Sequence, residues 1–425
     1  MQCTKLFLSC TVIFVLFSFS LFSSVGASSV MWSQTYGGEA GEYSHSLVET
    51  ADGGYALAGW IESSLGRETD FWLVKTDSQG TMEWNQTYGG TNSEKAHCVV
   101  QTSDGGYALA GYTNSFGTGN YDFWLVKTDA EGNMQWNKTY GGPESEDAYS
   151  LIETSDGGFV LAGETASVGA ADYDFWLIKT DENGVMEWNH TYGGTDSDQA
   201  YSLVKTSDGG IVIAGYTNSF GAGNYDFWLV KTDANGNMQW NQTYGGANWD
   251  EARSVVQTND GGYALCGMTA SFGAGSNDFW LVKTDADGNM QWNQTYGGVD
   301  YEKAHSLIET SDGGYALAGY ISYSSFITDF LLVKTDANGN MEWTQTYGEE
   351  EDWDAAYCLV ETSDGGYALT GETLPVTEAV DFLLIKTDEL GNIPEFPSWT
   401  VMLVMLSVLV VAVAIYKRRL RPQTN

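Results

Sequence analysis

Apolar and polar positions alternate along most of this chain in short runs that stop at glycine-rich turns. The stretch "EDAYSLIETSDGGFVLAGETASVGAADYDFWLIKTDENGVMEWNHTYGG", from Glu146 on, holds four such runs: AYSLIET, FVLAGE, DFWLIKT and VMEWNHTY. A period of two predicts strands, with alternate side chains on opposite faces. Asp-Gly-Gly joins the first two, a hairpin signal in which positive φ is required at the turn. A Gly/Ala/Ser-rich loop joins the second to the third, and DENG makes a tight turn into the fourth. The pattern predicts four short antiparallel strands, A to D.

The same pattern recurs with a period of 52. The turn aspartates are Asp52, Asp104, Asp156, Asp208, Asp260, Asp312 and Asp364, with no drift across the six intervals. Long fixed periods of four strands indicate propeller blades. Strand D, marked by Trp32, Trp84, Trp136, Trp188, Trp240, Trp292 and Trp343, also occurs seven times. Its first copy, MWSQTYGG, stands before any A strand, and the last Lys-Thr-Asp, ending at Asp388, has no Trp strand behind it. The N-terminal strand is therefore expected to complete the last unit. The expected fold is an all-β, seven-bladed β-propeller over residues 28–393, with four antiparallel strands per blade.

The run "DGGYALAG…DFWLVKTDANGNMQWNQTYGG" resembles secreted bacterial and archaeal β-propeller repeat proteins, over residues 31 to about 392. That group mostly has no assigned activity, so the resemblance implies a fold and not a function. Both ends read as targeting segments. Residues 1–27 have the charge, apolar stretch and small-residue end of a secretory signal peptide. Residues 400–416 form an apolar run that as a helix spans roughly 26 Å, enough for a membrane core. The basic tail at 417–425 is expected to stay in the cytoplasm. Between them, 394–399 carries Pro-Glu-Phe. The tripeptide, helix and basic tail resemble archaeal PEF-type C-terminal sorting signals, and an ordinary single-pass anchor is the alternative. The body of the chain is thus expected on the outer cell surface.

Composition narrows the partners. Fifty-six acids against 18 basic residues leave a net charge of −38, which disfavours nucleic acid and anionic membrane surfaces. Cys98, Cys266 and Cys358 replace small residues at repeat positions and form no disulfide or metal pattern.

What all seven copies share is what a blade needs, so sites are sought where copies differ. The recurring tryptophans and the strand C lysines read as packing and cross-strand pairs. Two acidic series are candidate Ca²⁺ ligands, since that ion takes several hard oxygens. One is Glu42, Glu94, Glu146, Asp198, Asp250, Glu302 and Asp354 before strand A; the other, beginning with Asp70 and Asp122, opens strand C. Capping of local backbone N–H groups is the alternative for both. At the entry to strand A stand His45, His97, Tyr149, Tyr201, Arg253, His305 and Tyr357. The three histidines are candidate ligands for a transition metal at a channel mouth, against a mixed polar rim without metal.

Asymmetry is greatest in the loop Gly348 to Tyr357, where Glu351, Asp352, Trp353 and Asp354 crowd together. Trp60 and Arg67 are read in the B-to-C loop of blade 1, and Trp249 stands alone before strand A of blade 5. These residues are the candidate ligand-binding set for a glycan or protein. Sequons at Asn85, Asn137, Asn189, Asn241 and Asn293 lie on the outermost strand and are candidate glycosylation sites. No Ser-His-Asp or Cys-His set stands out. The expected function is a non-enzymatic, monomeric surface module that binds a glycan or protein through its acidic loop face. A propeller lyase or hydrolase acting on extracellular polysaccharide, or a purely structural coat protein, are the alternatives.

Overall fold

The computed structural model describes residues 31–62, 68–169, 172–324, 327–348, 352–375 and 379–393. The signal peptide, the 394–399 motif, the apolar run at 400–416, the basic tail, Arg67 and Glu351 lie outside the described residues. Among the described residues no helix is long and apolar enough to cross a membrane.

The described chain is all β, and its architecture is that of a β-propeller. Repeat 3 shows the plan: Glu146–Glu153, Phe159–Thr165, Asp174–Thr180 and Met186–Tyr192 form one antiparallel four-stranded sheet in that order. Repeats 1, 2, 4 and 5 form matching separate sheets. Repeats 6 and 7 are joined into one eight-stranded sheet through a single parallel pairing, Thr328 with Trp353. The N-terminal strand Trp32–Tyr36 pairs antiparallel with Asp381–Lys386, Trp32 opposite Lys386. It supplies strand D of repeat 7.

Hydrophobic clusters lie between sheets rather than within them. Phe71, Leu73 and Tyr88 of repeat 1 pack with Val99, Leu109 and Trp124 of repeat 2, and the same set recurs from neighbour to neighbour. Repeat 7 meets repeat 1 in the same way, with Phe382 and Leu384 against Leu57 and Trp72. Each strand C tryptophan packs tilted or edge-on against a phenylalanine of the preceding repeat, as in Phe175–Trp228 at 4.6 Å and 59°. Such pairs contribute about 1 kcal/mol beyond burial alone. Strand D tyrosines stitch the outer edge: Tyr88 Oη donates to the Gly132 carbonyl at 2.7 Å, and Tyr36 to Gly80 at 2.7 Å.

The turn aspartate has a longer reach than a hairpin needs. Positive φ falls on Gly53 (82°), whose N–H bonds to Thr50 O, and the A-to-B turn runs from Thr50 to Gly54 between the paired Glu49 and Tyr55. Asp52 Oδ1 accepts from the Thr50 hydroxyl and from Gly54 N–H, then meets buried Lys75. Strand C lysines were expected opposite Glu or Gln on strand D. Lys75 does reach Glu83 at 3.1 Å, but its shorter contact is Asp52 at 2.9 Å, and Lys231 pairs with Asp208 at 3.0 Å.

Candidate functional site

Every A strand carries one residue too many for its partner. Pairing runs Ala148 with Gly163 and then Ser150 with Ala162, leaving Tyr149 in a bulge. The same shift falls at His45, His97, Tyr201, Arg253, His305 and Tyr357. Bulges re-aim side chains and sharpen local twist. Each is matched by the last glycine of the YALAG-type run. A Cβ on Gly163 would lie 1.9 Å from Asp147 O, and one on Gly59 1.8 Å from Tyr43 O. Only glycine lets the two backbones approach this closely.

The A strands of successive repeats pack on one another, and that of repeat 7 packs on that of repeat 1. The bulged side chains therefore meet in an inner belt. Ring centroids are 4.9 Å apart for His305–Tyr357, 4.3 Å for Tyr357–His45 and 5.3 Å for His45–His97. His97–Tyr149 and Tyr149–Tyr201 follow at 5.0 Å, and the Arg253 guanidinium sits 3.8 Å over the Tyr201 ring.

Two further series join the belt: the residue two before each bulge, and its cross-strand partner on strand B. The pairs are Tyr43–Trp60, Lys95–Tyr112, Asp147–Glu164, Gln199–Tyr216, Glu251–Met268, Lys303–Tyr320 and Ala355–Glu372. No two are alike. Lys95, Arg253 and Lys303, rare cations in this acidic chain, all stand here. Lys95 lies 4.4 Å over Trp60, while Arg253 and Lys303 both pair with buried Glu251.

Many polar atoms of the belt are buried with no hydrogen-bond partner among the described residues: both nitrogens of His97, Asp147 Oδ1, Glu164 Oε2, Arg253 Nε and His305 Nε2. His97 Nε2 is 3.2 Å from Asp147 Oδ2, without the alignment of a hydrogen bond. Charge states follow from this burial. Burial, then the Asp147 charge, pushes Glu164 up to about 8; burial pushes Glu372 up to about 8 against the pull of Lys95. Burial, then neighbouring cations and histidine, keeps His45 and His305 well below the ordinary histidine value. Lys303 is lowered to about 8, chiefly by burial.

The expected site residues divide. Trp60 is not in the B-to-C loop: it lies on strand B, is 7% exposed, and stacks on Tyr43 at 5.3 Å. The strand B run of repeat 1 continues to Glu62, so the loop starts later than its Gly/Ser composition indicates. The belt brings His45 and His97 together, but Tyr357 stands between His45 and His305. Trp249 is exposed and packs on Tyr225 at 5.1 Å. Trp353 opens strand A of repeat 7, with Asp354 buried beside it.

The acids before strand A are spread one per repeat and serve their own loops. Glu94 accepts from Gly90 N–H, Thr113 Oγ1 and Ser115 N–H; Glu146 accepts from Gly142 N–H, Thr165 Oγ1 and Ser167 N–H. Glu42, Asp198, Asp250 and Glu302 each take an N–H four residues earlier. Strand C acids do the same, Asp122 from Thr118 and Gly119. Among the described residues no three His, Cys, Asp or Glu side chains converge as a metal site. Sequence reasoning missed Lys95, Asp147, Glu164, Glu251, Lys303 and Glu372. Their signal was present, as positions where the seven copies disagree.

The sequon asparagines have a structural task. Asn85, Asn137, Asn189, Asn241 and Asn293 are exposed, and each Oδ1 accepts from the strand C indole of its own repeat at 3.1–3.2 Å. Where strand C has Leu331 or Leu383 instead, the asparagine position holds Thr344 or Ser33. Asparagine and tryptophan thus vary together within one chain. A double-mutant cycle of Trp124→Leu and Asn137→Thr is expected to give a coupling of about 1 kcal/mol in chemical unfolding. Additive losses would reject the pairing.

No family model matches the chain. The regulatory protein FlaEY of Caulobacter vibrioides is 27% identical over 113 residues, 24% of this chain and 12% of that protein. The chain thus matches well under two thirds of that relative's length. Among solved structures, the Neurospora crassa Pan2 WD40 domain has a TM-score of 0.51 at 12% identity, covering 87% of this chain and 100% of that one. Sqt1 from Chaetomium thermophilum has a TM-score of 0.47 at 11% identity, covering 86% and 88%. The Pan2 likeness shows the fold alone.

Proposed function

We propose that this protein is a surface-anchored, extracellular binding module on a seven-bladed propeller closed by its N-terminal strand, and that it takes its ligand at the inner belt. The carrying observation is the concentration there of both repeat-to-repeat variation and unpartnered buried polar atoms. Buried polar groups ordinarily find partners, so a cluster without them points to a ligand or bound solvent. The loop-face acids Asp198, Asp226 and Glu302 also keep one oxygen without a partner among the described residues, but these sit one per repeat and each acid is already held by its own loop. The signal peptide, the membrane helix with its sorting-type motif, and glycosylation of the five sequons belong to this proposal as read from the sequence.

A second reading, a polysaccharide lyase or hydrolase, draws on Glu164 and Glu372. A carboxyl held near 8 keeps a proton at neutral pH, as a general acid must. The purified full chain is expected to bind a member of a panel of oligosaccharides, peptides and small metabolites in calorimetry, without turning it over. Arg253→Gln is expected to weaken binding at least about tenfold, and Asp196→Asn, on an exposed loop, to leave it unchanged. No ligand in the panel, or equal losses in both variants, rejects the belt as the site; turnover of a polysaccharide favours the second reading.

A further inference from the structure

Charge is distributed unevenly around the belt. Repeat 3 alone places two acids at directly paired cross-strand positions, Asp147 opposite Glu164. Like charges placed so are destabilising, and Glu164 is only 8% exposed. Neither carboxyl is matched by a cation in contact: Oδ1 of Asp147 and Oε2 of Glu164 have no hydrogen-bond partner among the described residues. His97 approaches Asp147 out of alignment, and Arg253 acts on Glu164 only through its charge.

Repeats 5 and 6 have the opposite surplus. Two cations, Arg253 and Lys303, share one carboxylate, Glu251. Arg253 Nε and His305 Nε2 are left unpartnered among the described residues. Between the two halves lies repeat 4, whose belt residues Gln199, Tyr201 and Tyr216 are uncharged. The Tyr201 hydroxyl is engaged by Gln199 at 2.7 Å, and the ring supports the Arg253 guanidinium. Across repeat 4 the belt therefore presents an acceptor side at repeat 3 and a donor side at repeats 5 and 6, separated by an aromatic wall.

Resting on the reading of the belt as a binding site, we propose that its ligand is a small zwitterion of the amino-carboxylate class. Its ammonium group sits between Asp147 and Glu164, and its carboxylate accepts from Arg253 Nε and His305 Nε2. Such a ligand satisfies both sets of orphaned atoms at once and cancels both charge surpluses. A neutral sugar cancels neither, and a simple anion or amine cancels one.

The test is calorimetry on the purified full chain with α-, β- and γ-amino acids and dipeptides, using butylamine and butyrate as single-charge controls. At least one zwitterion is expected to bind at least about tenfold more tightly than either control. Asp147→Asn, Glu164→Gln and Arg253→Gln are each expected to weaken it by at least about tenfold. Melting without ligand at pH 9, where Glu164 is ionised, is expected to rise in Asp147→Asn and Glu164→Gln, because each removes like-charge repulsion, so lost binding in these variants is not lost folding. Zwitterions no better than the controls, or binding indifferent to all three substitutions, overturns the proposal. Binding of a neutral oligosaccharide that survives the charge variants and is lost in Tyr201→Ala overturns the zwitterion while keeping the belt as a site. No binding by any probe overturns both.

Discussion

Gly215→Ala is expected to destabilise the protein by about 3 kcal/mol, in the range of the severe single substitutions. The reason is a backbone collision: the new methyl would lie 1.9 Å from the Gln199 carbonyl oxygen, on the strand that bulges at Tyr201. Neither side can yield without breaking the pairing of Asp198–Lys205 with Ile211–Thr217. Gly209→Ala is the control. Gly209 has φ of 86° and open space around it, so alanine meets only the strain of a left-handed turn, about 1 kcal/mol. Chemical unfolding of both variants separates the two effects. Equal losses would mean that the close approach opposite the bulge is not what selects glycine there. Loss of the bulge is also expected to move Tyr201 and so to lower any belt binding.

Thermal stability is expected to fall as pH rises from about 4.5 to 8, less steeply below 6.5 than above it, and to fall again below 4. The first limb comes from Glu164 and Glu372, raised from 4.5 to about 8, chiefly by burial. A carboxyl whose pKa rises on folding holds its proton more tightly in the folded state. Its contribution is full below pH 4.5 and is lost as pH climbs towards 8. For this pair the loss between pH 6.5 and 8 is about 3 kcal/mol. Glu42 and Glu302, raised to about 7, add to it in the same direction.

Histidine opposes this trend below 6.5. His45 and His305 are held well below their ordinary value, so stability is lost as acid forces a proton onto each in the unfolded state. That offsets Glu164 and Glu372 there but not Glu42 and Glu302, so the middle of the profile is shallower rather than level. The acid limb belongs to the turn aspartates. Asp52, Asp104, Asp156, Asp208, Asp260 and Asp312 are lowered from 3.8 to about 2, because hydrogen bonds from threonine, lysine and glycine outweigh burial. Their contribution is full above about pH 4 and is lost as pH falls towards 2. Each carboxyl is largely exposed, so screening leaves a few tenths of a kcal/mol apiece, repeated around the repeats. Melting temperature measured from pH 3 to 8 checks the profile. The double variant Glu164→Gln, Glu372→Gln is expected to flatten the limb above 6.5, and an unchanged limb would reject its assignment to these residues.

The sequence alone determined the parts that depend on neighbours along the chain. Alternation in AYSLIET or DFWLIKT sets a strand, Asp-Gly-Gly sets a hairpin, and the unbroken spacing of the turn aspartates numbers the units. The orphan first strand, MWSQTYGG, even announces its pairing with Asp381–Lys386, because a lone edge strand has backbone groups to satisfy. The "DGGYALAG" run was legible as a turn and strand B. Its aspartate as an anchor for Lys75, and its last glycine as the partner of a bulge, were not.

Tertiary structure alone decided which of the varying positions meet. Asp147, Glu164, Arg253 and Lys303 are up to three repeats apart, and no local period links them. A one-residue bulge in each A strand interrupts strict alternation, so the period that reveals a strand misplaces the residues at its inner end. Trp60 is misplaced for another reason: read by composition it belongs to a loop, yet strand B runs on to Glu62 and its pairing carries Trp60 into the belt. Charge state is decided in the same way. An isolated glutamate and Glu164 are identical in sequence terms, and only burial beside Asp147 makes one of them hold its proton at neutral pH.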